Sequence, residues 1–398
     1  MMTTAESPPL ARPLLFGAMA VCSGAAVANV YLAQPLLTLF AREFGGGASS
    51  AGLVVTCAQF GYAAGILFLV PLGDVRRRRP LLSALLAGTV AALLLAAAAP
   101  SLSLVAAAAA LVGGFTVLPQ VLIPLAAELA PPEKRASAVA GVQIGLMTGI
   151  IGSRVLGGAV GEAVGWRAVY LLAAVLTAAS GLATVALVPR EPVRANAVGY
   201  GQLLASLPRL LRGEPVLRQS CLLHACLFGA YNATWTSLVL VLTHDPYRFS
   251  TATAGLFGLL GLAGAFAAPW AGRYIDRRGA LPIVAAALLL TLGSAGAYAL
   301  GQVWLAFLVA AIVAVNIAVQ WSQIANQARI FARLPDARSR ANTVYMVAVF
   351  LSGALCAALA VACYSTFGWL GVCALQGILA VAGLAVLPAA RRSDRNSA

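Results

Sequence analysis

The sequence predicts an all-α membrane protein of twelve transmembrane helices, arranged as two parallel six-helix halves. Three observations predict it. The 398 residues are 61% apolar and only 10% charged, whereas soluble domains run near 45–50% apolar and about 25% charged. The apolar residues gather into twelve runs, each long enough to cross a ~30 Å hydrocarbon layer as a helix. A shift of 203 residues superposes Asn29 on Asn232, Gln120 on Gln323 and Gly165-Trp166 on Gly368-Trp369. Six crossings return a chain to its starting side, so a repeat of that length gives two halves of the same orientation. A water-soluble globule and a disordered chain are both excluded.

The net charge is +14, from 26 basic and 12 acidic residues. In a soluble protein that excess points to nucleic acid. Here the basic residues lie between apolar runs and orient the chain instead, so no nucleic-acid partner is expected. Twenty-two of them fall in the tails and even-numbered connections, and three (Arg42, Arg167, Arg248) in the odd-numbered ones. That asymmetry predicts cytoplasmic N and C termini. The seven cysteines all lie inside apolar runs and form no CxxC pair, so neither a disulfide framework nor a zinc site is expected. Ala26-Val27-Ala28 resembles a signal-peptidase site, but the run from Pro13 to Phe40 is too long for a signal peptide, and the first span is expected to be retained.

Taken in order, span one (13–40) carries Asn29, Tyr31 and Gln34, and span two (50–73) carries Thr56, Gln59 and Tyr62. Span three (81–99) is plain. Span four (103–127) holds Gln120, with Glu128 at its end. Span five (137–161) holds Gln143 and Arg154, with Glu162 at its end, and span six (166–188) is plain. Connection 190–218 places Leu203, Leu204, Leu207, Leu210 and Leu211 at helical spacing. It reads as an amphipathic surface helix that joins half 1–189 to half 219–398. Span seven (219–243) puts His224, Phe228, Tyr231 and Trp235 on one face, with Asn232 beside it. Spans eight (252–272) and nine (280–300) follow. Span ten (303–328) sets Asn316, Gln320 and Gln323 at i, i+4 and i+7, ahead of spans eleven (341–363) and twelve (369–389). The plainness of spans three, six, nine and twelve fits outer helices facing lipid, with the others around a cavity. Each amide either lines that cavity or bonds a neighbouring helix.

Arg154 is the most informative residue, because a charge within a span is expensive. It lies eleven residues, about three turns, after Gln143 and so shares its face. It either faces a watery interior or snorkels to the outer surface. No acid lies mid-span, which leaves Glu128, Glu162 and His224 as candidates for proton coupling. No GxxxxGK loop is present, so ATP drive is disfavoured. The only histidines are His224 and His244, too few for an intramembrane enzyme, and no cofactor or metal is expected.

The connection after span two reads Pro71-Leu-Gly-Asp-Val-Arg-Arg-Arg-Arg-Pro80, and its partner after span eight reads Gly272-Arg-Tyr-Ile-Asp-Arg-Arg-Gly279. At these residues the chain strongly resembles the major facilitator superfamily, whose loop pattern is GxxxD(R/K)xG. The second copy fits at Gly272, Asp276, Arg277 and Gly279. The first keeps Asp74, Arg78 and Arg79 but has Val70, Val75 and Arg77 where the pattern differs. The resemblance implies that these seven matching residues latch the cytoplasmic side. It extends through YLAQPLL (31–37), GLVVTCAQFGYAAGILFLVPLGD (52–74), LPQVLIPLAAELAPPEKR (118–135) and ANQARIFARLPDARSRANTVYMV (325–347). It is nearest to bacterial exporters of the drug:proton antiporter branch, among them purine-nucleoside and arabinose efflux permeases. Gly149 to Gly158 is similar to that branch's GxxxGPxxGG, with Ser153 and Arg154 replacing Gly and Pro.

The resemblance implies a monomeric, multi-pass carrier of the bacterial inner membrane that exports a small organic solute by alternating access, with protons as the counter-substrate. The alternative is a proton-independent facilitator or importer of a sugar or organic anion. A receptor without flux is a further alternative. The candidate solute-binding residues are Asn29, Gln34, Gln59, Tyr62, Gln120, Gln143, Arg154, Tyr231, Asn232, Trp235, Asn316, Gln320 and Gln323.

Overall fold

Helices of this apolarity expose large side chains that a soluble protein would bury. Phe266 is 76% exposed, Trp270 71% and Val175 65%, all within long helices. Such faces belong against lipid. The computed structural model describes residues 11–45, 47–131, 134–189 and 199–395, and among these residues it is all helix and turn, with no strand. Eleven helical segments are long and apolar enough to cross a membrane.

Three of the expected continuous spans are broken, each for a local reason. Span one runs as α1 (Ala11–Tyr31) and α2 (Leu37–Phe44), separated by a 3₁₀ turn at Gln34–Leu36. Pro35 lacks the N–H that a continuous helix would need there. Helix α3 (Gly47–Phe68) and the short α4 (Leu72–Val75) follow, then α5 (Arg78–Ala97). Span four is α6 (Leu102–Phe115) and α7 (Leu118–Leu129), divided ahead of Pro119. Helices α8 (Arg135–Val164) and α9 (Trp166–Leu187) meet at Gly165, whose φ of 100° favours glycine. Helix α10 (Tyr200–Gly213) lies in the expected connection; Leu207 is buried while Arg209 and Arg212 are exposed. Residues 190–198 of that connection lie outside the described residues.

Helix α11 (Pro215–Thr243) is the most deeply buried span. Span eight is α12 (Thr251–Leu256), a 3₁₀ run at Phe257–Gly261 and α13 (Leu262–Arg278). Helices α14 (Ala280–Leu300), α15 (Leu305–Arg333) and α16 (Arg338–Arg395) complete the chain. The last covers both final expected spans. Its 58 residues are broken at Gly368, where φ is 64° and ψ −157°. Uninterrupted, it would be about 87 Å long, far more than one crossing requires.

Glycine sets how close the helices come. Helix α1 packs on α8, where a Cβ on Gly149 would sit 2.0 Å from the Gly24 carbonyl oxygen. Helix α8 meets α12 at a second close approach, where a Cβ on Gly255 would sit 2.5 Å from the Arg154 carbonyl oxygen. Small residues let backbones touch and so replace the hydrophobic drive that lipid removes. Further packing joins α3 to α6, α5 to α9, α11 to α16 and α14 to α15. The α8–α12 and α3–α16 contacts connect residues before 190 to residues after 215.

Buried amides add directed bonds. Gln59 Nε2 donates to Asn232 Oδ1 at 2.7 Å, joining α3 to α11. A double-mutant cycle of Gln59→Leu and Asn232→Leu, read by thermal unfolding in detergent, is expected to give a coupling of about 0.6–1.7 kcal/mol. Additive losses would show that the bond contributes nothing.

Candidate functional site

Eight of the helices turn part of one face toward a central cavity of about 310 Å³. Its wall takes residues from α1, α3, α7, α8, α11, α13, α15 and the first third of α16. Helices α5, α9 and α14 contribute none. Their sequences differ from those of the lining helices in one respect: none of the three carries an Asn, Gln or His.

Of the thirteen candidate residues, eight line this cavity: Tyr62, Gln120, Gln143, Arg154, Tyr231, Asn316, Gln320 and Gln323. Gln120 Nε2 donates to the Tyr62 hydroxyl at 3.3 Å. The 3.6-residue period explains the α15 set, since i, i+4 and i+7 stack on one stripe. The other five do not line it. Asn29 donates to the Thr116 and Thr177 hydroxyls at 3.2 and 3.1 Å, tying α1 to its neighbours. Gln59 and Asn232 are occupied by each other. Gln34 and Trp235 lie beyond Arg154, around a separate small void.

The cavity has two unlike ends. One lies among Gln327, Phe331 and Asn342, close to Arg333, Arg338 and Arg340, and is called the basic end here. Gln327 and Asn342 meet there, Nε2 to Oδ1, at 3.2 Å. Neither was among the candidates, although Gln327 continues the Asn316–Gln320–Gln323 stripe by one more turn.

At the opposite end the wall closes on Arg154, which is 3% exposed. Its side chain turns inward rather than snorkelling. Nη2 donates to the Tyr231 hydroxyl at 2.9 Å, and Nε and Nη2 both reach Gln34 Oε1 at 3.3 Å. The guanidinium lies 3.8 Å from the Trp235 ring centroid, within cation–π range. Arg154 has no ion-pair partner among the described residues. Beyond it, Glu162 Oε2 accepts the Ala252 backbone N–H at 2.6 Å, so a carboxylate of α8 holds the first turn of α12.

The three coupling candidates separate clearly. His224 lines the cavity; its Nδ1 is 2.9 Å from the Ser322 hydroxyl and its ring stacks on Tyr345 at 5.5 Å. Glu128 pairs with buried Arg78 in a two-pronged contact of 2.5 and 2.7 Å. Glu162 holds α12, as above. No carboxylate lines the cavity among the described residues.

The latch candidates are equally distinct. Asp276 and Arg277 are exposed at the end of α13, and Asp276 has no ion-pair partner among the described residues. Gly272 is half-buried and Gly279, with φ 81°, ends the helix. Arg79 is half-buried. The Asp74 side chain lies outside the described residues. A network that sequence reasoning missed sits nearby. Arg329, read as one more orienting charge, is 7% exposed. It bonds Asp394, the Gln219 side chain, the Ser220 hydroxyl and the Ala390 carbonyl.

The model of the Major Facilitator Superfamily matches residues 19–319. A Streptomyces coelicolor protein named "Probable transporter SCO4007" is 48% identical over 374 residues, covering 94% of this chain and 86% of that protein. An Escherichia coli O157:H7 protein named "Uncharacterized transporter YgaY" is 38% identical, covering 94% of this chain and 95% of its own length. Among solved structures, a bacterial homologue of the human lysosomal transporter Spinster, inward-facing and unoccupied, superposes with a TM-score of 0.66 at 14% identity, covering 96% of this chain and 95% of that one. The human organic anion transporter MFSD10 superposes with a TM-score of 0.67 at 17% identity, covering 96% of this chain and all of that one. At such identities these two likenesses concern the fold alone.

Proposed function

This chain belongs to the major facilitator superfamily, and we propose that it is a secondary transporter that carries a small organic solute through its central cavity by alternating access. Membership makes it a multi-pass membrane transport protein rather than an enzyme. The observation that carries the mechanism is the cavity itself. It is lined by amides and aromatic rings and closes at the Arg154 end through contacts between α8 and α12.

Counting α16 as two crossings, divided at Gly368, gives twelve spans and two halves, 1–189 and 219–398, joined through 190–218. The basic end is then cytoplasmic, both termini lie on that side, and the conformation faces inward. Bacterial relatives of this length support an inner-membrane location. The eight cavity-lining candidates would bind solute. The remaining five would hold helices together. The loops containing Asp74, Arg78 and Arg79, and Gly272, Asp276, Arg277 and Gly279, would latch the cytoplasmic side in the outward-facing form. An exposed Asp276 with no ion-pair partner among the described residues is what a released latch requires.

Export coupled to inward proton flow is the first reading, with His224 as the titratable group on the cavity wall. A proton-independent facilitator or importer of an organic anion or sugar is the second. A buried Arg154 with no ion-pair partner among the described residues and no carboxylate on the described wall favours an anion. Proteoliposomes under an imposed pH gradient separate the two. Gradient-driven solute movement supports antiport; uptake indifferent to the gradient supports the facilitator.

The Glu162 contact gives a further prediction. Glu162→Ala removes the acceptor for the Ala252 N–H and weakens closure of the outer end. The outward-open population should rise several-fold, as expected for losing a charge-assisted bond at an exposed site. Labelling of Trp235→Cys by an impermeant thiol reagent on the outer side reads it, against the same cysteine with Glu162 intact. Unchanged labelling would remove Glu162 from the gate.

A further inference from the structure

The cavity wall holds one side chain whose proton the surrounding bonds place. Asn326 of α15 brings its amide nitrogen to 2.9 Å from the Ser322 carbonyl oxygen and 3.1 Å from the Ser322 hydroxyl. A carbonyl only accepts, so that nitrogen is the donor and the amide cannot be turned over. The Ser322 hydroxyl therefore receives one proton and has its own to give. Its other partner among the described residues is His224 Nδ1, at 2.9 Å. Ser322 is fully buried, where a hydroxyl proton without an acceptor is costly. The hydroxyl donates to Nδ1, and the imidazole proton sits on Nε2.

This chain of bonds, Asn326 to Ser322 to His224, runs from α15 to α11 and fixes a donor. The imidazole plane is held as well, stacked on Tyr345 at 5.5 Å and 20°. Nε2 has no protein partner among the described residues and is not sealed off; it opens on the cavity that the ring lines. One turn along α11, the Phe228 ring lies 6.1 Å from the imidazole and 5.1 Å from Phe350. Phe350 in turn lies 4.5 Å from Tyr62, and all three rings line the cavity. A directed N–H thus adjoins an aromatic surface. The described wall has a positive charge at Arg154 and no carboxylate, a field that favours an anion over a cation.

We propose that the solute is an aromatic carboxylate: its ring packs against Phe228 and Phe350, and its carboxylate accepts the His224 Nε2–H. Ring packing of this kind contributes beyond area burial, and a hydrogen bond to an ionised acceptor is among the stronger ones. Ser322 and Asn326 are positioning residues, which act through His224 by keeping its proton on the cavity side. The proposal rests on the organic-anion reading of the cavity and narrows it.

Nitrogen NMR of the purified full-length protein, labelled with 15N-histidine at neutral pH, reads the ring directly. The chain has only two histidines, and His244→Gln leaves one. His224 should give the pattern of an Nε2–H imidazole. Ser322→Ala should give both tautomers, and Ser322→Thr, which keeps the hydroxyl, should restore the single one. Benzoate should shift the Nε2 resonance saturably. Benzylammonium, a similar ring with donors in place of acceptors, should not. Ser322→Ala should raise the benzoate midpoint several-fold, and His224→Phe, read by thermal unfolding, about tenfold. Any other wild-type ring pattern, an Nε2 signal unmoved by benzoate, or an equal shift with benzylammonium would each overturn the proposal. None of these readouts involves flux. Benzoate binding without flux of any solute would refute the carrier reading alone; flux of other solutes with no benzoate response would refute this proposal alone.

Discussion

Arg154→Ala is expected to lower solute flux by roughly 10–150-fold, the cost of about 1.5–3 kcal/mol for losing a charged hydrogen-bonding group. The side chain supplies the only positive charge on the cavity wall among the described residues, and it orients the Tyr231 hydroxyl and the Gln34 amide. It also lies against Trp235 at the point where the cavity ends. Truncation therefore removes both the proposed solute contact and the structure that closes the chamber. Arg154→Lys should not restore flux, since an ammonium is a point charge and cannot bond Gln34 and Tyr231 while lying flat on an indole. Counterflow in proteoliposomes, normalised to inserted protein, measures the effect. Ordinary flux at normal abundance would remove Arg154 from the transport path.

A second large effect is structural. Gly149→Leu should destabilise the protein by about 1–3 kcal/mol or more, because its Cβ would lie 2.0 Å from a backbone oxygen that no rotamer change can move. Helix α1 would have to withdraw from α8. Gly141→Leu on the same helix is the control, since nothing lies within 4 Å of a Cβ there. That substitution should be neutral or mildly stabilising through helix propensity. Melting temperature and monodisperse recovery report both variants. Equal behaviour of the two would mean that the α1–α8 contact is not held by glycine.

The same contacts explain what the sequence could and could not disclose. Long apolar runs located the membrane helices because lipid permits little else on an exposed helix face. The Asn316–Gln320–Gln323 stripe pointed to the cavity because period alone fixes a shared face. Asn29, Gln59 and Asn232 look identical in sequence to that stripe, yet each finds a partner on another helix. A buried amide's neighbour is a tertiary fact that spacing does not carry. Breaks at Gln34–Leu36 and Phe257–Gly261 were similarly hidden. Proline marks the first, but the second arises where Gly258 and Gly261 let the chain approach α8, at Arg154 and Ile151. Arg329 was counted among the orienting charges, because nothing local distinguishes it from Arg333. Its partner Asp394 lies 65 residues away. The unusual Arg154 was the exception: a charge too costly to sit idle in a span drew attention from composition alone.

The most direct test of the central claim is a pair of spin-label distances in lipid nanodiscs, one across each end of the bundle. Exposed Ser137 and Ala332 report on the basic end, and exposed Ala163 and Val303 on the opposite end. Measurements would be made without solute and with each nucleoside, sugar, amphipathic cation or organic acid that raises the melting temperature. The account predicts reciprocal change: as the Ser137–Ala332 distance shortens, the Ala163–Val303 distance lengthens. Distances that stay fixed, or that lengthen together, would contradict it.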